Sequence, residues 1–144
     1  MDHIAILSKK RDLLRRIISG EKTIESRWYT SRKTPYRIIA EGDTVYFKDS
    51  GEPVTVKAHV SKAMFFDGLD DEMVVEILQK YGGKICIPIS FAPQLSGKRY
   101  CTLVFLEGVE RVEPFEIDKK GFGMMAAWIT VPDIDKIKKI YQLR

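Results

Sequence analysis

Histidine and cysteine are scarce in this chain, which has two of each, and their positions argue against metal chemistry. Cys86 and Cys101 need histidine partners to complete a zinc site, and His3 and His59 lack paired ligand spacing. No structural zinc and no cofactor are expected. A chain of 144 residues buries roughly two-thirds of the surface it exposes when unfolded, so it needs no disulfide framework. Long apolar runs are also missing: no stretch of about 18 apolar residues is there to cross a membrane. The start Met1-Asp2-His3 lacks the basic residues and apolar stretch of a secretory signal. A cytoplasmic protein with reduced thiols is expected. Internal repeats, low-complexity tracts and Pro/Ser-rich linkers are absent, so residues 1–144 are expected to form a single domain. Glycines do not make a phosphate-cradling loop either, because Gly121-Phe122-Gly123 lacks the following glycine and the strand-to-helix setting.

Charge is plentiful and unevenly placed. Residues 1–40 hold ten Lys/Arg against four Asp/Glu, a balance of +6, whereas residues 41–144 hold fourteen against sixteen, a balance of −2. A basic front favours an anionic, phosphate-bearing partner such as nucleic acid, although surface Lys and Arg also serve solubility.

Hydrophobic periodicity places the elements. His3 to Leu7 reads as a short apolar strand, and Ser8 is suited to cap a helix that starts at Lys9 and ends at Gly20. Leu13, Leu14, Ile17 and Ile18 form its apolar stripe, which leaves Arg11, Arg15 and Arg16 on a cationic outer face. A second helix begins after Asp70, with Asp71 and Glu72 in its first turn and Met73, Val74, Ile77, Leu78 and Tyr81 as its buried stripe; Gly82-Gly83 is expected to end it. Strands are expected at Thr44 to Lys48, Val54 to Ser61, Ile85 to Phe91, Tyr100 to Leu106, Val109 to Ile117 and Ala126 to Val131. Pro88 demotes the third of these to an edge or irregular strand. A last helix is expected from Ile134 to Leu143. About six β segments without βαβ alternation indicate an α+β protein built on a small β-barrel or strongly coiled sheet.

The densest polar constellation follows the first helix, at Gly20-Glu21-Lys22-Thr23-Ile24-Glu25-Ser26-Arg27-Trp28-Tyr29. If residues 24–29 are extended, Glu25 and Arg27 point the same way. Glu25 can then orient Arg27 or Lys22 through charge-assisted hydrogen bonds and leave donors for an anionic or carbonyl-bearing ligand. A structural ion pair or a solvated cluster explains the same residues. Lys9, Lys10, Arg11, Arg15 and Arg16 are placed to track a phosphate backbone or simply to meet water. Trp28 and Tyr29 suit stacking on bases or packing in a core. Lys120, in Lys119-Lys120-Gly121-Phe122-Gly123, suits either a ligand-contacting loop or a plain connection. Trp128, amid Ala126, Ala127 and Ile129, reads as core; His59 reads as solvated, and Cys86 and Cys101 as small hydrophobes in strands.

The pattern Gly20-x-Lys22-x-x-Glu25-x-Arg27 after a helix, followed by Glu41-Gly42-Asp43 opening a strand, resembles the ASCH domain of the PUA-like superfamily. The runs Tyr100-Cys101-Thr102-Leu103-Val104-Phe105-Leu106 and Gly123-Met124-Met125-Ala126-Ala127-Trp128-Ile129 also look like that family's later strands. The resemblance implies a β-barrel flanked by helices, with a cleft near the first helix lined by Lys22, Glu25 and Arg27. It further implies binding of RNA or a modified nucleotide there, with Lys22 and Arg27 as contacts; Trp28, Lys9, Lys10, Arg15 and Lys120, chosen for their charge or aromatic character, are expected to extend the binding surface. The alternative is metal-independent hydrolysis of acylated cytidine nucleosides or RNA, with Lys22 and Glu25 as catalytic groups. One departure bears on that alternative. In relatives that hydrolyse acetylated cytidine, the position of Glu25 is a threonine proposed as nucleophile; a carboxylate cannot repeat that chemistry but can activate water. Thr23 is nearby and is the remaining candidate for a nucleophilic hydroxyl.

Overall fold

The computed structural model describes residues 1–123 and 125–139. Six strands form one mixed sheet: β1 (Asp2–Leu7), β2 (Ile24–Tyr29), β3 (Thr44–Asp49), β4 (Val54–Phe66), β5 (Tyr100–Phe115) and β6 (Trp128–Val131), in the spatial order β2-β5-β4-β3-β1-β6. Only β1 with β3 pairs parallel; the other neighbours are antiparallel. Helices α1 (Leu13–Ser19) and α2 (Asp71–Ile85) flank the sheet, with a 3-10 helix at Ile89–Leu95 packed beside α2. The result is an α+β, barrel-like fold in which the sheet curls into a half-barrel.

Alternation along the strands divides the interior. On β1, Ala5 and Leu7 join a cluster with Val45, Phe47, Val56, Val60, Val104 and Trp128, into which α1 inserts Leu13 and Ile17. Ile4, one pleat away, packs with Val54, Ile129 and Val131 on the opposite face. Helix α2 seals a third cluster through Val74, Ile77, Leu78 and Ile85 against Ile24, Cys101 and Leu103.

Several expected elements are corrected. The first helix is not continuous from Lys9: a 3-10 turn covers Lys9–Arg11, Asp12 adopts a left-handed conformation (φ 54°), and Ser8 makes no side-chain cap. Asp tolerates that conformation better than most residues, and this lets the chain re-aim before α1. Helix α2 does not stop at Gly82-Gly83 but runs to Ile85, and Cys86 (φ 65°) ends it. A Cβ on Gly82 would lie 2.8 Å from the Ile87 carbonyl oxygen, so glycine serves close chain approach there rather than termination. Ile85 to Phe91 is consequently no strand; its apolar residues belong to the end of α2, to the link through Ile87 and to the 3-10 helix that follows Pro88. Short apolar runs do not distinguish the two states. Cys86 therefore sits at a helix end and is half-buried, whereas Cys101 is buried in β5 as expected.

The strands expected at Tyr100 to Leu106 and Val109 to Ile117 are one, β5. Gly108 (φ 60°) does not turn the chain back; the ladder with β4 shifts register beside it, between Lys57 and His59. That irregularity bends the strand and deepens the coil of the sheet. The last helix is reduced, among the described residues, to a 3-10 turn at Ile134–Lys136, after which Lys138 bridges to Ile117. The remainder expected for it, residues 140–143, lies outside the described residues.

Candidate functional site

Strands β2 and β6 are the two edges of the sheet, and the cleft lies where the curl brings those edges toward each other. Its volume is about 370 Å³; β2 contributes Glu25, Arg27, Trp28 and Tyr29, the end of β1 contributes Ile6 and Leu7, and Ala127 precedes β6. Lys22, Arg11, Phe91 and Lys98 are among the other residues that line it.

Lys22 is placed by the turn after α1. Gly20 (φ 83°) ends the helix, and the Lys22 amide returns to the Arg16 carbonyl at 2.9 Å. The side chain then runs inward until it is 2% exposed. Its ammonium donates to the carbonyls of Ile24 and Ile85, both at 2.8 Å, and lies 3.3 Å from Glu25 Oε1. Ile85 is the last residue of α2; its carbonyl has no intrahelical donor, so Lys22 caps the negative end of that helix. All three ammonium hydrogens have partners.

Glu25, 3% exposed, is held from three sides. Oε1 accepts from the Ser26 amide at 2.9 Å and faces Lys22, while Oε2 accepts from Arg27 at 3.3 Å. Burial alone raises a carboxyl, yet the charges of Lys22 and Arg27 outweigh it and hold Glu25 below the usual carboxylate range. Glu25 and Arg27 share a face of β2, as extended geometry requires.

Arg27 crosses the gap between the sheet edges. Its guanidinium donates to the carbonyls of Ile6 (3.3 Å) and Ala127 (3.2 Å) and lies over the Trp128 ring at 5.1 Å. Three of the five guanidinium N–H groups are thereby used. The other two have no hydrogen-bond partner among the described residues.

The remaining expected contacts are dispersed. Trp28 lines the cleft, half-buried, with its indole N–H on Ser26 Oγ at 2.9 Å. Lys9 and Lys10 line a neighbouring cavity of about 600 Å³ that shares Ile6, Leu7, Ser8 and Ala127 with the cleft. Arg15 and Lys120 line neither. Much of the basic segment Lys9–Arg16 is engaged internally: Lys9 pairs with Glu52, Arg15 with Asp12, and Arg11 donates to the Cys86 carbonyl. Thr23 is not among the cleft residues. Phe91 and Lys98 escaped the sequence reading because they enter from a 3-10 helix and its turn, which carry no pattern pointing to β2. His3 was also missed as a structural group. It is fully buried, accepts from Trp128 Nε1 on Nδ1 at 3.1 Å and donates from Nε2 to Asp43 at 2.8 Å. Burial outweighs Asp43 and keeps the ring below the usual histidine range. Among the described residues no group of three or more His, Cys, Asp or Glu is placed to hold a metal, and no helix is long and apolar enough to cross a membrane.

No family model and no curated protein matches the sequence. Solved structures do match: ASCH from Zymomonas mobilis superposes with a TM-score of 0.68 at 17% identity, covering 94% of this chain and 90% of that one. Two single-substitution variants of that protein give 0.69 at the same identity, covering 94% of this chain and 93% and 91% of theirs. The fold is that of an ASCH domain. At this identity the likeness extends to the fold alone, and the Lys22, Glu25 and Arg27 cluster stands on its own geometry.

Proposed function

We propose that this ASCH-fold protein binds a nucleotide unit of RNA, or a modified nucleotide, in the cleft between the two sheet edges. The observation that carries the reading is Arg27: its guanidinium is fixed by three acceptors yet keeps two N–H groups beside a cleft walled by Trp28, Tyr29 and Phe91. A planar fork suits a phosphate or carbonyl oxygen, and aromatic walls suit a base. The volume of about 370 Å³ is within the range of small-molecule sites. Lys22 and Glu25 act as positioning residues that hold Arg27 in place.

Hydrolysis fits the same geometry less well. Both Glu25 oxygens have donors, its carboxyl is held in the ionised form at low basicity, and the Lys22 hydrogens are all engaged. Glu25 is therefore a weak base toward a water, and Lys22 has no hydrogen left for a leaving group. The test is Trp28 emission during titration with nucleoside 5′-monophosphates. Saturable quenching is expected, lost in Trp28→Phe and weakened in Arg27→Lys; no response at millimolar ligand overturns the reading. Acylated cytidine incubated with the protein should decay at the buffer rate, and turnover that disappears in Glu25→Gln would instead establish the hydrolase.

A further inference from the structure

The +6 balance of residues 1–40 has a second location besides the first helix. The segment after β2 carries Arg32, Lys33 and Arg37, all exposed, and it packs against aromatic side chains from the adjoining strand ends. Arg32 and Arg37 lie over the Tyr36 ring at 5.2 and 5.6 Å, Arg37 also over Phe65 at 5.4 Å, and Lys33 over Tyr29 at 5.2 Å. Tyr36 in turn meets Tyr100 edge-on at 5.1 Å. Arg37 holds its place with φ at 54°, a conformation that side-chain-bearing residues rarely adopt. Among the described residues none of these three cations enters an ion pair, in contrast to Lys9 and Arg15.

The face is continuous with the cleft. Tyr29, under Lys33, lines the cleft together with Lys98, and the Arg99 amide donates to the Tyr29 carbonyl at 2.9 Å. We infer that a single-stranded polynucleotide, held by one nucleotide in the cleft, leaves over Tyr29 and runs along the face of Arg32, Lys33 and Arg37. This rests on the cleft reading and extends it from a mononucleotide to an oligonucleotide ligand. Unpaired cations supply phosphate contacts, and guanidinium planes backed by tyrosine rings supply stacking surfaces that accept any base. An acidic peptide would use the charges and leave the rings unused.

The experiment compares wild type with Arg32→Gln/Lys33→Gln/Arg37→Gln, binding an RNA octamer, a DNA octamer of the same sequence, and a nucleoside monophosphate. Octamer affinity should fall on the order of tenfold at low salt, and the slope of log K against log salt should lose about 2, from three phosphate contacts at roughly 0.7 each. Mononucleotide quenching of Trp28 should be unchanged. Loss for RNA alone or for both octamers supports the proposal and says which sugar the face accepts. Unchanged octamer affinity and slope overturn it even if the mononucleotide binds. Absence of octamer binding to wild type at low salt also overturns it. If the octamer response is lost in the variant while wild type shows no mononucleotide quenching, the cleft reading fails and the face stands. Arg32→Gln/Lys33→Gln, which leaves Arg37 on its rings, repeats the comparison should the triple variant fold poorly.

Discussion

Two cationic regions lie within a few residues of each other in sequence and behave oppositely. Lys22 and Arg27 are drawn inward, around a carboxylate; all three Lys22 ammonium hydrogens and three of the five Arg27 N–H groups are bound to the protein, and the two left over face a cleft rather than open water. Arg32, Lys33 and Arg37 remain in water with rings at their backs. A desolvated charge persists only with partners, because an unpaired one costs several kcal/mol; a hydrated charge has no such demand and stays free for an outside anion. The inner group therefore sets the shape of the cleft, and the outer group is left to meet what approaches it.

The largest expected effect comes from breaking the inner group. Lys22→Met removes the cap of α2 and leaves Glu25 with one cation fewer, so unfolding should cost about 3–5 kcal/mol less. The thermal midpoint should drop by roughly 10–17 °C, and a drop of a degree or two would show that Lys22 is not a structural charge. Glu25→Gln keeps the shape but leaves two cations without their counter-charge; denaturant titration should register a loss of about 2–3 kcal/mol. Arg27→Lys keeps the charge and loses the fork across the sheet edges, for which about 1–2 kcal/mol is expected together with weaker nucleotide quenching. A stability loss with unchanged quenching would make Arg27 purely a tie between strands.

Acid should act on the inner group and on His3 in the same direction. Glu25 is held below its ordinary range, so its contribution is present above the unfolded pKa and is lost as pH falls through the folded one. His3 is held neutral by burial despite Asp43. The unfolded state takes up its proton first, near the ordinary value of about 6.5, and stability declines below that pH until the folded ring protonates. Stability measured from pH 7 downward should fall, and His3→Gln should flatten the part nearest pH 6. A curve identical to wild type in that variant would remove His3 from the account. The smallest expected change belongs to the outer group: Arg32→Gln/Lys33→Gln should alter stability by less than about 0.5 kcal/mol, and a larger loss would show that the cation–ring contacts hold the fold.

Much of this fold is legible in local pattern. The alternation of Val54, Val56, Ala58 and Val60 against Thr55, Lys57 and His59 is β4, and each of the four apolar residues is buried. Asp70 caps α2 through the Met73 amide at 2.8 Å, and Trp128 is in the core. Extended residues after Gly20 put Glu25 and Arg27 on one face, as the period of a strand requires. Where the pattern misled, the glycines had other duties: Gly82 admits a passing carbonyl and Gly108 sits at a shift of register, whereas a sequence shows only that a side chain is absent.

The sequence by itself determined the α+β class, the positions of most strands, the buried stripes and the grouping of Lys22, Glu25 and Arg27, because each follows from spacings of a few residues. Tertiary structure decided which charges were free. Glu52 reaching Lys9, Ile85 receiving Lys22, and Ile6 and Ala127 receiving Arg27 are all contacts made by strand curl and helix placement across 43, 63, 21 and 100 residues respectively. Hydrogen-bond donors are satisfied by what lies nearby in space, and no local pattern encodes that neighbour.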